Sequence, residues 1–185
     1  MTTLTDLPKN LPIPIDEGAC SQLLGKVLPD VSLQSTQKTT INLSLIKGWL
    51  VIYCYPMTGQ PNVDLPDGWN EIPGARGCTP QSCSFRDNFQ TLLDLKVNVY
   101  GLSTQRTEYQ QEAATRLHLP FPLLSDEHLA FTRILNLPVF EINQMQLNKR
   151  VTLIVLDGVI QHYFYPVFPP DKNVNDVIDW LKLNV

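Results

Sequence analysis

Residues 49–56 read WLVIYCYP, an unbroken apolar run that is rich in aromatic and β-branched side chains and ends on proline. A strand with one wet face alternates apolar and polar residues, whereas a strand covered on both faces does not. A bilayer span takes about 20 apolar residues, so this run is too short to be one. It predicts an interior strand, and its neighbours agree. VNVYGLST (97–104) reads as a second buried strand and FPLLSD (121–126) as a short third one. Helical patterns lie between them. Phe85, Phe89, Leu92 and Leu93 recur near helical spacing over 79–94, where Thr79 suits a cap and Pro80 a first turn. RTEYQQEAATRLHL (106–119) predicts a helix capped by Thr107 or Ser103 and stopped by Pro120.

The flanks complete the pattern. DVSLQS (30–35) alternates like a short edge strand, QKT (37–39) reads as a turn, and INLSLIKG (41–48) as a strand end and helical turn closed by Gly48. HLAFTRILNL (128–137) is a helix halted before Pro138. KRVTLIVLDGVIQHYFYP (149–166) is a hairpin turned on Asp-Gly, and NVNDVIDWLKLN (173–184) is an amphipathic closing helix. Strands alternating with helices, then a terminal hairpin, define an α/β fold. Its central mixed sheet is flanked by helices and carries an N-terminal β-hairpin extension. We read one domain over 1–185, with a proline-rich extended arm at 1–16 and neither repeats nor a linker.

Bulk composition narrows the function. The chain has 185 residues, is 43% hydrophobic, and carries a net charge of −4 with a pI near 5.3. That supports one well-cored domain and offers no basic patch for nucleic acid or an anionic membrane. TLTDLPKNLPIPIDEG (3–18) lacks the charged and apolar regions of a signal peptide, which sets a cytoplasmic expectation with reduced thiols. Four cysteines in that setting point to catalysis or burial rather than to a disulfide framework. His118, His128 and His162 are scattered without ligand spacing, so no metal and no cofactor are expected.

The stretch MTGQPNVDLPDGWNEIPGARG (57–77) is rich in glycine and proline and has no period. A loop of that length in a compact domain is usually functional or disordered. It runs directly into RGCTPQSCSFRD (76–87), where two thiols stand five positions apart. The spacing is too long for a CxxC redox pair, and no second pair completes a zinc site. Cys78 falls at the start of a helix, where unpaired N–H groups present partial positive charge. Such positions favour thiolates and cradle developing anions. In one helix the Cα atoms of Cys78 and Cys83 would be roughly 8 Å apart and on different faces. A disulfide wants about 4.4–6.8 Å. If the two bond during function, the first turns must unwind, and Pro80 eases this by lacking a backbone donor. Cys54, inside the apolar strand, and Cys20 read as packing.

GCTPQSCSFRD (77–87) resembles the active-site segment of the peroxiredoxins, closest to the peroxiredoxin Q (bacterioferritin comigratory protein) group. LPDVSLQSTQKTTINLSLIKGWLVIYCYP, VNVYGLSTQRTEYQQEAATRLHLPFPLLSDE and NKRVTLIVLDGVI are similar to further segments of that group, so the resemblance covers residues 20–183. It implies a thioredoxin-like fold and a thiol-dependent peroxidase acting on hydroperoxides. It implies Cys78 as the peroxidatic thiol, Cys83 as the resolving thiol and Arg150 as the cation beside thiolate and peroxide. Pro56 would shield the site. A thioredoxin or glutaredoxin-type reductant and a monomer or weak homodimer are also implied.

Two departures stand out. Ala75 occupies the position where the family carries Thr or Ser, with Arg76 where proline is common, and 57–77 is inserted ahead of Cys78. Thr58 precedes the insertion and takes the missing hydroxyl's place if the loop bulges outward. Arg76 is an alternative positive neighbour for the thiolate. Three roles are open to the inserted loop, with its Trp69 and Ile72: lidding the pocket, restricting substrates, or forming a partner surface. Gln81 is read either as reaching the active-site backbone or as solvated, and Arg86 either as pairing with Asp87 or as supporting the site. Two competing readings remain. A disulfide reductase suffers from the lack of CxxC. A thioredoxin-fold redox sensor or binding protein with little turnover draws on Ala75.

Overall fold

The computed structural model describes residues 7–185, so positions 1–6 of the 1–16 arm lie outside the described residues. A hairpin of β1 (Ser32–Ser35) and β2 (Thr40–Asn42) precedes β3 (Trp49–Cys54). Helices α1 (Cys78–Asp87) and α2 (Phe89–Asp94) lead to β4 (Val97–Ser103), α3 (Thr107–Arg116) and β5 (Leu123–Ser125). Next come α4 (Ala130–Leu135) and a hairpin of β6 (Val139–Ile142) and β7 (Met145–Asn148). A second hairpin of β8 (Val151–Leu156) and β9 (Val159–Phe164) precedes α5 (Asn173–Asn184). Seven strands form one sheet in the order β2-β1-β5-β4-β3-β8-β9, while β6 and β7 pair separately. Strands β3, β4 and β5 pair in parallel, and every other pairing in the large sheet is antiparallel. This is the mixed, thioredoxin-like sheet with an N-terminal hairpin that the sequence implies.

Strand β3 earns its central place by apolarity on both faces. Leu50 to Tyr55 are each at most 1% exposed. Their alternation divides the core in two. Leu50, Ile52 and Cys54 pack with Leu102, Leu124, Leu153 and, from α4, Phe131. Val51, Tyr53 and Tyr55 pack with Phe85 of α1, Leu92 of α2, and Val177 and Leu181 of α5. Each fully buried side chain of this kind contributes about 1.5–3 kcal/mol of hydrophobic stabilisation.

Several boundaries differ from the sequence reading, each for a local reason. The helix expected over 79–94 is two helices broken at Asn88, whose φ of −103° and ψ of 9° leave the helical region. The Asn88 side chain donates to the Ser84 carbonyl at 3.0 Å, a side-chain bond that competes with continued helix. Thr79 does not cap α1. Gly77 does, at φ 105°, and so the helix starts one residue earlier. A Cβ on Gly77 would sit 2.4 Å from Pro170 Cγ, so both the backbone angle and the space demand glycine. Neither Thr107 nor Ser103 caps α3: Arg106 is its cap and makes no side-chain cap bond, while the Ser103 hydroxyl donates to the Pro56 carbonyl at 2.8 Å. Strand β1 is not an edge strand, because β2 covers it. The β6–β7 hairpin escaped the sequence reading. It turns on Asn143 and Gln144, at φ 48° and 63°, without the glycine that advertises such turns. The expected Asp157-Gly158 turn does join β8 to β9.

Gly101 of β4 lies opposite both Tyr53 and Leu123 in the sheet. A Cβ there would approach Leu123 Cδ2 to 2.5 Å and Tyr53 Cζ to 2.7 Å. Gly101→Ala should destabilise the fold by about 1–3 kcal/mol through overpacking. Calorimetry should show this as a Tm decrease of roughly 3–10 °C; an unchanged Tm would contradict the packing described.

Candidate active site

The left-handed turn at Gly77 delivers Cys78 as the first residue of α1, at the positive end of a helix with no acidic residue in its first turn. Cys78 is only 2% exposed. Arg150 immediately precedes β8, and the register pairs Val151 with Cys54, so the guanidinium emerges beside the end of β3. Its Nη2 lies 3.3 Å from Cys78 Sγ and 3.3, 3.5 and 3.3 Å from the carbonyl oxygens of Gly74, Ala75 and Arg76. Two protons on that nitrogen serve four acceptors, so each bond is shared. Its Nη1 donates to Gln81 Oε1.

Arg150 is only 3% exposed, yet among the described residues no carboxylate pairs with it. A buried cation without a counterion is costly. Among its hydrogen-bond partners, the Cys78 sulfur is the one that can carry a full negative charge. Gln81 is not solvated: it is fully buried and donates to Asn173 Oδ1 at 3.0 Å. The Thr152 hydroxyl donates to the same oxygen at 2.7 Å. A buried chain therefore runs from Cys78 through Arg150 and Gln81 to Asn173 and Thr152, tying α1, β8 and α5 together. Gln81 was visible within the thiol motif, but nothing local marks Asn173 or Thr152.

Burial, reinforced by Asp16, pushes the Cys20 thiol up to about 12. Burial also raises Cys54, which faces the same core cluster. Both are packed and un-ionised, as the sequence suggests. Cys83 is half-buried, and burial raises its thiol above the ordinary 9.0, partly offset by Arg86. Arg86 pairs with Asp87 at 2.8 Å, donates to the Leu117 carbonyl at 2.8 Å and lies beside the Cys83 thiol.

The pocket over Cys78 holds about 10 Å³, walled by Met57, Gly59, Leu65, Trp69, Arg76 and Thr79. Most of that wall belongs to the inserted loop. Pro56 and Thr58 are buried next to Met57 in sequence but do not line the pocket. The Pro56 carbonyl accepts from Ser103, and Thr58 bonds Gln105 through its N–H at 3.0 Å and its hydroxyl at 3.4 Å. Ala75 is turned into a third apolar cluster with Trp69 and Leu147. The hydroxyl in the pocket wall is that of Thr79. No group of three or more His, Cys, Asp or Glu suited to a metal occurs among the described residues.

A thiol at a helix N-terminus, paired with a buried arginine on a thioredoxin-like sheet, defines a thiol-redox protein. The redoxin family model matches residues 23–178, and the chain belongs to that family. Its relatives lie in the peroxiredoxin Q and bacterioferritin comigratory group. The chain is 25% identical over 186 residues to peroxiredoxin Q, chloroplastic, of Oryza sativa subsp. japonica, covering 97% of this chain and 78% of the relative. It is 32% identical over 131 residues to peroxiredoxin bcp1 of Schizosaccharomyces pombe, covering 66% of this chain and 59% of that one. The crystal structure of the peroxidoxin BcpB of Mycobacterium tuberculosis superposes with a TM-score of 0.72 at 21% identity, covering 89% of this chain and 99% of that one.

Because the Cys83 thiol is raised, its alkylation by iodoacetamide in the reduced protein should climb with a midpoint above pH 9.0. Peptide mass spectrometry across a pH series measures this, and a midpoint below that of a free cysteine would refute the described burial. Asn173→Ala should lower the rate at which Cys78 is oxidised by peroxide, by releasing Gln81 and thereby Arg150. Stopped-flow fluorescence reads that rate, and a rate equal to wild type would show that the chain through Asn173 does not position the arginine.

Proposed function

We propose that this protein is a thiol-dependent peroxidase in which Cys78 reduces a hydroperoxide and Cys83 resolves the oxidised enzyme. One observation carries the reading: the buried Arg150 guanidinium stands 3.3 Å from Cys78 Sγ, with no carboxylate paired to it among the described residues. The Cys78 thiolate attacks the distal oxygen of ROOH and the O–O bond breaks. The departing RO⁻ takes a proton and leaves as water or alcohol, and Cys78 becomes a sulfenic acid. Arg150 cannot lose its charge, and it offers donors to both the attacking sulfur and the separating oxygens.

The Cys83 sulfur then attacks the Cys78 sulfur, a disulfide forms and water is expelled. Both thiols lie in α1, so its first turns unwind for this step. Unwinding breaks the bonds of Gln81 to Arg150 and Asn173 and the 3.2 Å bond between Tyr53 and Ser82. A dithiol reductant of the thioredoxin or glutaredoxin type returns the two electrons. Pro56 shields the end of β3 behind the site. Thr58 is proposed to support the site from the start of the inserted loop, and Thr58→Val tests its hydroxyl. A reducing cytoplasmic setting and a monomer or weak homodimer belong to the same proposal.

Peroxide consumption coupled to thioredoxin and its reductase tests the scheme. Cys78→Ser should abolish it. Cys83→Ser should keep single-turnover oxidation of Cys78 while forming no Cys78–Cys83 disulfide by mass spectrometry. Arg150→Lys should lower kcat/KM for peroxide by about 10²–10³, the usual cost of one lost transition-state donor. Wild-type consumption no faster than that of free cysteine would overturn the assignment.

A further inference from the structure

The pocket over Cys78 is far smaller than its surroundings. At about 10 Å³ it admits one water-sized group. Beside it lies an open depression of about 380 Å³ lined by Leu65, Tyr109 and Met145 together with Asp64, Asp67 and Asn143, and then a groove of about 630 Å³ where Tyr109, Met145 and Leu147 are joined by Arg106, Glu127 and His128. Met57 borders all three spaces, and Leu65 borders the first two. These two half-buried side chains thus stand between the thiol and a roomy, partly apolar groove.

Their setting suits movement. Met57 and Leu65 sit at the margin of the cluster formed by Trp69, Ala75 and Leu147, packed against it without being fully buried. Trp69 is the fixed part: it is 3% exposed, with its ring 6.0 Å from that of Phe140 in β6. The inserted loop is therefore anchored at Trp69 and looser at Met57 and Leu65. Methionine is unbranched and adapts its shape at low cost.

We propose that Met57 and Leu65 form a gate that sets peroxide selectivity. Closed, the gate leaves room at Cys78 for one peroxide oxygen, so hydrogen peroxide needs the least further opening. A hydroperoxide with a bulky apolar tail reaches the thiol only when the gate opens and its tail enters the groove beside Tyr109 and Met145. The inference rests on the peroxidase reading above, and it assigns the inserted loop the role of restricting substrates.

The test compares kcat/KM for cumene hydroperoxide with kcat/KM for hydrogen peroxide, as a ratio, in wild type, Met57→Ala, Leu65→Ala and Met57→Phe. Each alanine variant should raise the ratio roughly tenfold, the discrimination one or two methylenes supply in a pocket. Met57→Phe should lower it. A second readout needs no peroxide: the rate of Cys78 labelling by a bulky maleimide relative to iodoacetamide should rise in the alanine variants. Since Met57→Ala and Leu65→Ala act on different side chains, one that fails to fold leaves the other to decide. Ratios unchanged in both readouts, or rates rising equally for large and small reagents, would overturn the gate while leaving Cys78-dependent reduction of hydrogen peroxide intact. Loss of Cys78 dependence in the wild type itself would instead overturn the peroxidase reading, and the gate with it.

Discussion

The buried charge of Arg150 is the constraint around which the rest of the site is organised. A guanidinium taken out of water needs either a counterion or a full set of acceptors. Here the acceptors are the carbonyls of 74–76, the amide of Gln81 and the sulfur of Cys78. These contacts serve both terminal nitrogens, leave the buried Nε without a partner among the described residues, and pin the end of the inserted loop and the first turn of α1. Sheet register makes this possible. Pairing of Cys54 with Val151 brings the start of β8 alongside the end of β3, from which the inserted loop departs and to whose vicinity it returns at Cys78. Fold and site are thus joined through a single side chain.

Helix α1 has two opposed duties. Wound, it presents Cys78 at its positive end and holds Gln81 against Arg150. In the proposed cycle it must also unwind at its start, so that Cys83 can reach Cys78. The resistance to unwinding is concentrated in a few buried polar bonds, those of Gln81 and of Ser82 with Tyr53. One turn further along, Phe85 stacks on Tyr53 with ring centroids 4.5 Å apart and stays anchored in the core. Opening can then be local, because the polar bonds lie between the two thiols while the apolar anchor lies beyond them.

The two features peculiar to the middle of this chain, the 57–77 loop and the β6–β7 hairpin, support one another. Trp69 of the loop packs near Phe140 of β6 and against Leu147 of β7. Neither element belongs to the main sheet, and together they make a satellite core over the entrance to Cys78. Ala75 belongs to that core. A hydroxyl at this position would point into apolar packing, which gives a physical reason for alanine there.

Much of this molecule is legible in its order of residues. The double-sided burial of β3 follows from WLVIYCY, the Asp-Gly hairpin from its turn residues, and a helix starting close to Cys78 from Pro80 and the apolar spacing after it. Periodic burial and turn chemistry are local, so sequence alone determines them. The two halves of the 79–94 helix and the β6–β7 hairpin were hidden because Asn88, Asn143 and Gln144 adopt their backbone angles without glycine or proline to signal it. Arg150 and Cys78 were nameable only by resemblance, since 72 positions separate them. The bond from Gln81 to Asn173 spans 92 positions. Such partnerships exist only once strand register and helix docking bring distant backbone together, and a buried polar side chain can choose its partner only from what that docking places within hydrogen-bonding distance. The core strands of the main sheet and the place of Cys78 near a helix start were therefore legible in the sequence, whereas the company Cys78 keeps was decided by tertiary structure.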